Sequence, residues 1–437
     1  MSLLVVTPRV SCAIATATID VLCRSRGGMR RGSVARRALT SSWTGRTALP
    51  LLAREGSEEG AAGGGSAGRS GRARRPPPPP PFPVVDSCPE ATCTCEAMPE
   101  LPAELPIDHE SRLNGLISAY NEQVIVCTGK DDWPSRIEDD NSGDNLAADL
   151  KELFGRGGKY SDPFHNVSVL NASFAPSVPL GRPELQTSSA YLLPSFRYVP
   201  FLPRVSFDSV DALAKGYLLP EHLHSAHAGL LSPVHRDRLT RQPAYRRLLW
   251  GVRDRVDDVL VLVCGHGGRD ARCGLVGPVL RSEFERQLAR VDITPLHGPV
   301  AIPEEEMAAA TANAWSTSPS SEQKKALDAP LDDSSSTSSR SASIIASTTA
   351  KSRTARVGLI SHIGGHKFAG NVIIYLPPSL RALDGFTPHP LAGYGVWYGR
   401  VEPKHVEGLV LETILRGNVV TDHFRGAINS NRDIIRL

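Results

Sequence analysis

Residues 259–273 read Val259-Leu-Val-Leu-Val-Cys-Gly-His-Gly-Gly-Arg-Asp-Ala-Arg-Cys273. The apolar run Val259 to Val263 predicts a central strand covered on both faces, because no polar residue alternates with the apolar ones. The glycines and charged residues that follow predict a loop. The segment Gly274 to Arg290 carries apolar residues at four-residue intervals, which predicts a helix packed on that strand. Strand, loop and helix are therefore contiguous, with a cysteine at each end of the loop.

A similar order of elements continues downstream. Strands are predicted at Val357–Ile360, Asn371–Tyr375 and Tyr394–Tyr398, and a closing helix at Val406–Leu415 ends before Gly417. Apolar central strands with helices on the faces, in this order, are typical of a thioredoxin-like sandwich. The fold class is therefore predicted to be α/β (α+β), with a thioredoxin-like C-terminal domain over residues 241–437.

The part before it, residues 86–240, is predicted to be an N-terminal α+β domain. Gln123–Cys127 predicts a buried strand, and Glu110–Tyr120 predicts a helix with its apolar residues on one side. Short β-prone runs broken by proline follow. A further helix, rich in arginine, is predicted at Ala244–Arg255, directly before the central strand.

The head of the chain has a different composition. Residues 1–54 contain nine arginines, many serines and threonines, and a single acid, Asp20. This composition predicts a mitochondrial transit peptide and hence a mitochondrial protein, with the matrix as its destination. Residues 55–85 include six consecutive prolines, Pro76 to Pro81, and predict a disordered tether rich in glycine and proline.

Composition also restricts the function. Residues 303–356 are rich in serine, threonine and alanine and predict a disordered insertion between the helix and the next strand. No run reaches the ~18 apolar residues of a membrane span. The chain has a formal charge of +3, concentrated in its arginine-rich head. The folded remainder is therefore mildly acidic, which argues against nucleic acid as its main partner.

Two pairs of candidate ligands follow predicted strands in glycine-rich loops. Cys264 and Cys273 have the spacing C-x8-C, and His362 and His366 have the spacing H-x3-H. Structural zinc accepts two thiolates and two imidazoles, but C-x8-C is wider than its usual cysteine spacing. A [2Fe-2S] cluster can be held by two cysteines on one iron and two histidines on the other. His266 is expected to support these ligands or to face solvent.

Two other clusters are weaker candidates. Cys88, Cys93 and Cys95 have an uncommon ligand spacing and predict reduced, loop-borne thiols rather than a second metal or thiol-exchange site. In His222-Leu-His-Ser-Ala-His227, helical geometry would place only the last two histidines on one face, so a solvated helix or loop is predicted.

Taken together, the motifs resemble the sucrase/ferredoxin-like family, whose members are thioredoxin-like [2Fe-2S] ferredoxins. The resemblance rests on Val126–Glu138, Leu192–Tyr198, the C-x8-C loop, His362–Asn371 and Val396–Arg400. It implies that the C-terminal domain is a ferredoxin domain with a [2Fe-2S] cluster as cofactor. It also implies that Cys264 and Cys273 bind one iron, and that His362 and His366 bind the other.

The predicted function is one-electron transfer between an unidentified protein donor and acceptor, so the chain is expected to be an electron carrier rather than a catalyst. The first alternative is a zinc-stabilised interaction module of two cysteines and two histidines, with no redox role. The second is a thioredoxin-like thiol oxidoreductase, which the missing C-x-x-C spacing disfavours.

Overall fold

Two runs of strands meet edge to edge in one mixed sheet. In the computed structural model, which describes residues 79–141, 143–178, 186–303 and 353–437, eleven strands form this sheet. The described residues belong to one compact unit, Pro76–Leu437. The transit peptide predicted at 1–54, the tether at 55–85 up to residue 78, and the insertion at 303–356 from residue 304 to 352 lie outside the described residues.

The strands are β1 Val84–Val85, β2 Glu122–Cys127, β3 Val167–Ala172, β4 Thr187–Leu193, β5 Arg197–Pro203, β6 Val259–Cys264, β7 Ile293–Pro295, β8 Arg353–Ile360, β9 Val372–Tyr375, β10 Gly395–Tyr398, β11 Val419–Val420, β12 Phe424–Ile428 and β13 Ile434–Ile435. The helices are α1 Leu146–Phe154, α2 Asp208–Leu213, α3 Pro233–Leu239, α4 Ala271–Arg290 and α5 Pro403–Leu409. π-Helical turns extend α2 over Ala214–Leu218 and α5 over Val410–Arg416.

The sheet order is β13-β12-β10-β9-β6-β8-β3-β2-β4-β5, with β7 beside the first residues of β8. β6 runs parallel to β8 and antiparallel to β9. The two halves of the sheet join through a single residue pair, Ala172 of β3 with Ile360 of β8. The α/β class is thus confirmed, while the division into domains at 86–240 and 241–437 stays a prediction.

The central position of β6 explains its continuous apolar sequence. Val259, Val261 and Val263 face the same core as the buried side of α4, whereas Leu260 and Leu262 face a second core on the other side of the sheet. All five side chains are buried. Burial of each side chain stabilises the fold by about 1.5–3 kcal/mol relative to leaving it exposed. The alternation of side chains along a strand carries Cys264 into the second core.

Two predicted helices are absent. Glu110–Tyr120 is irregular, because Gly115 has a φ of +92° and donates its backbone N–H to the carbonyl of Arg425 at 2.8 Å. Ala244–Arg255 holds only a short 3-10 turn at Pro243–Leu248 before the chain becomes irregular. Both segments make backbone contacts with distant strands, which compete with local helix formation.

The predicted helix after the cysteine loop is confirmed and begins at Ala271, three residues earlier than expected. Cys273 therefore lies in the first turn of α4 and not in the loop. β8 begins at Arg353, four residues before the predicted start of that strand. Within the described ranges, no helix has the length and apolar character needed to cross a membrane.

Candidate thiol site

Cys264 is the last residue of β6 and is fixed by its neighbours on both sides. Its backbone N–H donates to the carbonyl of Asn371 at 2.9 Å, and the N–H of Gly265 donates to the carbonyl of Ile360 at 3.1 Å. The side chain is 1% exposed. The thiol is thus held at the end of the central strand, between β8 and β9.

Cys273 reaches the same place from the first turn of α4. Asp270 caps this helix by accepting a hydrogen bond from the backbone N–H of Arg272 at 3.1 Å. The same carboxylate pairs with the guanidinium of Arg272 at 2.9 Å, and that guanidinium also donates to the carbonyl of Pro106. This pair lowers the pKa of Asp270. The cap fixes the first turn of α4 and therefore the position of Cys273, which is 1% exposed.

His362 and His366 lie in the loop after β8, and their ring centroids are 5.3 Å apart. Gly364 and Gly365 between them have φ values of +87° and +75°, a left-handed conformation that favours glycine. The two positive φ values let the loop fold back, so both rings face the same space. The Nδ1 atom of each ring is buried without a hydrogen-bond partner in the described structure.

The side chain of His266 joins three segments of the chain. Its Nε2 lies 3.0 Å from the carbonyl oxygen of Trp133 and 2.9 Å from that of Pro134, so this nitrogen carries the proton. Its Nδ1 accepts the backbone N–H of His362 at 3.0 Å. The ring therefore ties the cysteine loop to the histidine loop and to the first half of the sheet.

The two thiols form one titrating pair. The pKa of Cys264 lies well below its ordinary value, first because the thiol of Cys273 hydrogen-bonds to it, and further because of the imidazole of His362 and the backbone N–H of His266. The pKa of Cys273 is raised by the same contact with Cys264 and by burial. Of the two thiols, Cys264 is therefore the one that ionises first.

Arg425 of β12 completes the site and was missed in the sequence. It is 3% exposed, and it donates to the carbonyl of Leu116 at 2.9 Å, to the carbonyl of Gly364 at 3.1 Å and to Oδ1 of Asn371 at 2.5 Å. Burial lowers the pKa of Arg425 to about 10, and the charges of the two cysteines oppose that shift. A lone arginine within an otherwise apolar strand is the only signal the sequence offers.

The predicted function, a one-electron carrier, is wrong. Across the described ranges, no group of three or more histidine, cysteine, aspartate or glutamate side chains is placed to hold a metal ion. The zinc-stabilised module fails for the same reason. The thiols are instead paired with each other and with His362. The identity of the cofactor, a [2Fe-2S] cluster, and the role of Cys264, Cys273, His362 and His366 as its ligands stay predictions.

The two weaker clusters have local roles. Cys93 contacts the carboxylate of Glu407 at 3.3 Å and accepts a hydrogen bond from the amide of Gln287 at 3.1 Å, so it docks the segment before β2 onto α4 and α5. The pKa of Cys88 is raised to about 12, mainly by burial. Of the three histidines, His227 pairs with Asp162 at 2.9 Å and His224 stacks on Phe164.

A comparison with known proteins finds a family match that includes the residues of the thiol site. The model of the family described as sucrase/ferredoxin-like matches residues 113–426. "Altered inheritance of mitochondria protein 32" of Debaryomyces hansenii is 26% identical over 351 residues, which are 79% of this chain and 96% of that protein. The protein of the same name from Meyerozyma guilliermondii is 26% identical over 357 residues, 79% of this chain and 95% of that protein. No solved structure matches the chain.

Proposed function

The chain belongs to the sucrase/ferredoxin-like family, and we propose that it is a mitochondrial thiol redox protein whose working group is the pair Cys264 and Cys273. The observation that carries this proposal is the contact between the two buried thiols, which lowers the pKa of Cys264 and raises that of Cys273. A thiolate beside a protonated thiol is the arrangement needed for a dithiol to become a disulfide, because the nucleophile and the resolving group are already in contact.

Burial selects the oxidant. Both thiols are 1% exposed, so the disulfide of a folded partner does not reach them, whereas a small hydroperoxide does. The Cys264 thiolate attacks the terminal peroxide oxygen and forms a sulfenic acid, and the alkoxide or hydroxide that leaves takes the proton of the Cys273 thiol. The Cys273 thiolate then attacks the sulfenic sulfur and closes the disulfide, and the departing hydroxide takes a proton from solvent to leave as water. A small dithiol then returns two electrons and one proton, which restores the thiolate and the thiol, and its second proton goes to solvent as it becomes a disulfide.

The test is oxidation of the reduced, full-length protein with one equivalent of hydrogen peroxide, followed by mass spectrometry. We expect the loss of two hydrogens and a single linked peptide pair containing Cys264 and Cys273. Cys264→Ser abolishes the reaction, and Cys273→Ser stops it at the sulfenic acid. Cys127→Ser is the matched control, because Cys127 also ends a buried strand, and burial rather than either thiol of the pair raises its pKa.

Two results would refute the proposal. One is oxidation that spreads over the other cysteines without a Cys264–Cys273 link. The other is iron with sulfide, or zinc, bound in stoichiometric amount by the purified protein, since ligation would occupy both thiols.

A mitochondrial location has two supports. Relatives that match most of the chain are named for altered inheritance of mitochondria, and the first 54 residues have the composition of a transit peptide. We expect a full-length fluorescent fusion to enter mitochondria, to resist protease until the inner membrane is opened, and to stay outside when residues 1–54 are removed. Unchanged import of the shortened protein would contradict the assignment of the transit peptide.

A further inference from the structure

A cleft of about 640 Å³ opens beside the edge strand β5, where Arg253 pairs with Tyr198 and Asp254 pairs with Arg197. Its size is typical of small-molecule sites. Residues 247–255, which connect the 3-10 turn to β6, form most of its wall, and Tyr217 forms the rest.

Three guanidiniums line the cleft. Arg247, Arg253 and Arg255 lie there together with Asp254, and Arg255 pairs with Asp257 at 2.6 Å. The carboxylate of Asp254 is already paired with Arg197 at 3.0 Å. In the part of the chain that the structure describes, no carboxylate pairs with Arg247, whose Nε donates to the carbonyl of Ala244 at 3.2 Å. An exposed guanidinium without an acid beside it is suited to a phosphate or carboxylate.

Aromatic rings lie among these cations. The guanidiniums of Arg197 and Arg246 lie 5.6 and 5.1 Å from the ring centroid of Tyr217. Such contacts hold both cations at the cleft. Trp250 lines the same cleft, is half-buried, and packs one part of its ring against the second core. The remaining indole surface is a rigid, planar platform of the kind on which heterocyclic bases stack.

We propose that this cleft binds a nucleoside phosphate. The base stacks on Trp250, and the phosphates lie against Arg247 and the neighbouring guanidiniums. A free phosphate would leave the indole surface unused, and an uncharged nucleoside would leave Arg247 without a partner. Both parts of the ligand are therefore needed. Because none of the residues that line the cleft belongs to the thiol site, this proposal is independent of the thiol chemistry.

The test is titration of the full-length protein with ADP, adenosine and inorganic phosphate, each followed by calorimetry. We expect one ADP per chain, and at least ten-fold weaker binding of adenosine and of phosphate. Loss of one charge-assisted contact weakens binding roughly ten-fold or more. Arg247→Ala should therefore weaken ADP ten-fold while leaving adenosine unchanged. Trp250→Leu should weaken both ADP and adenosine.

Arg236→Ala is the matched control, because Arg236 is equally exposed but lies on α3, away from the cleft. Thermal unfolding of each variant verifies that the fold is intact. The proposal fails if ADP does not bind at millimolar concentration. It also fails if Arg247→Ala and Arg236→Ala weaken ADP equally, since that result would indicate nonspecific attraction.

Discussion

Replacing Arg425 by methionine should both destabilise the protein and raise the pKa of Cys264. The guanidinium satisfies three acceptors, on Leu116, Gly364 and Asn371. Each acceptor left unsatisfied in a buried place costs about 1–3 kcal/mol. Methionine fills similar space but donates no hydrogen bond, so the three costs add to roughly 6 kcal/mol at mid-range.

Part of this loss of unfolding free energy is offset in the variant, because burying the cation of Arg425 is itself unfavourable. Burial lowers the pKa of Arg425 from 12.5 to about 10. At 1.36 kcal/mol per pKa unit, this desolvation corresponds to about 3 kcal/mol that the variant no longer bears. The expected net loss of unfolding free energy is therefore about 3 kcal/mol. The thiolate of Cys264 also loses a nearby positive charge, so its pKa rises.

Urea unfolding measures the first effect, and the ultraviolet absorbance of the thiolate as a function of pH measures the second. Arg425→Lys keeps the charge but cannot reach all three acceptors, so it should lose stability while largely preserving the thiolate. Arg136→Met is the control, because its exposed ion pair with Asp139 is worth under about 1 kcal/mol. Unchanged unfolding and an unchanged thiolate titration in Arg425→Met would refute the role given to this arginine.

Two further predictions concern other parts of the fold. Burial, and then the charge of Arg353, lower the pKa of His389 to about 4. Since the pKa in the unfolded chain is about 6.5, the stability that His389 contributes is present above pH 6.5, and the free energy of unfolding falls by up to about 3 kcal/mol as the pH drops to 4. Urea unfolding should show a smaller fall between these pH values in His389→Asn. An equal fall in the variant and the parent protein would contradict this assignment. In Gly408→Ala, the new methyl would lie 2.5 Å from Sγ of Cys88. Unfolding should therefore show a loss of about 1–3 kcal/mol despite the better helix propensity of alanine, and Cys88→Ala should restore it; no rescue would show that the contact is not the cause.

Local pattern was sufficient for the elements around β6. A run of apolar residues with no polar alternation can only be satisfied by a strand buried on both faces, and the four-residue spacing after it requires a helix against that strand. Both elements are present, at Val259–Cys264 and Ala271–Arg290. Local pattern was insufficient for Glu110–Tyr120, because Gly115 takes a left-handed conformation to bond with Arg425, more than three hundred residues away.

The sequence by itself determined that Cys264 and His362 each stand where an apolar strand ends. Only the tertiary structure decided what those side chains do. The order β9-β6-β8 brings the two loops together. Because α4 begins at Ala271, Cys273 lies in its first turn and contacts Cys264, and β12 places Arg425 at the same site. Periodicity records whether a side chain is buried. It does not record which distant side chain a buried residue contacts, because that contact depends on the order of strands in the sheet.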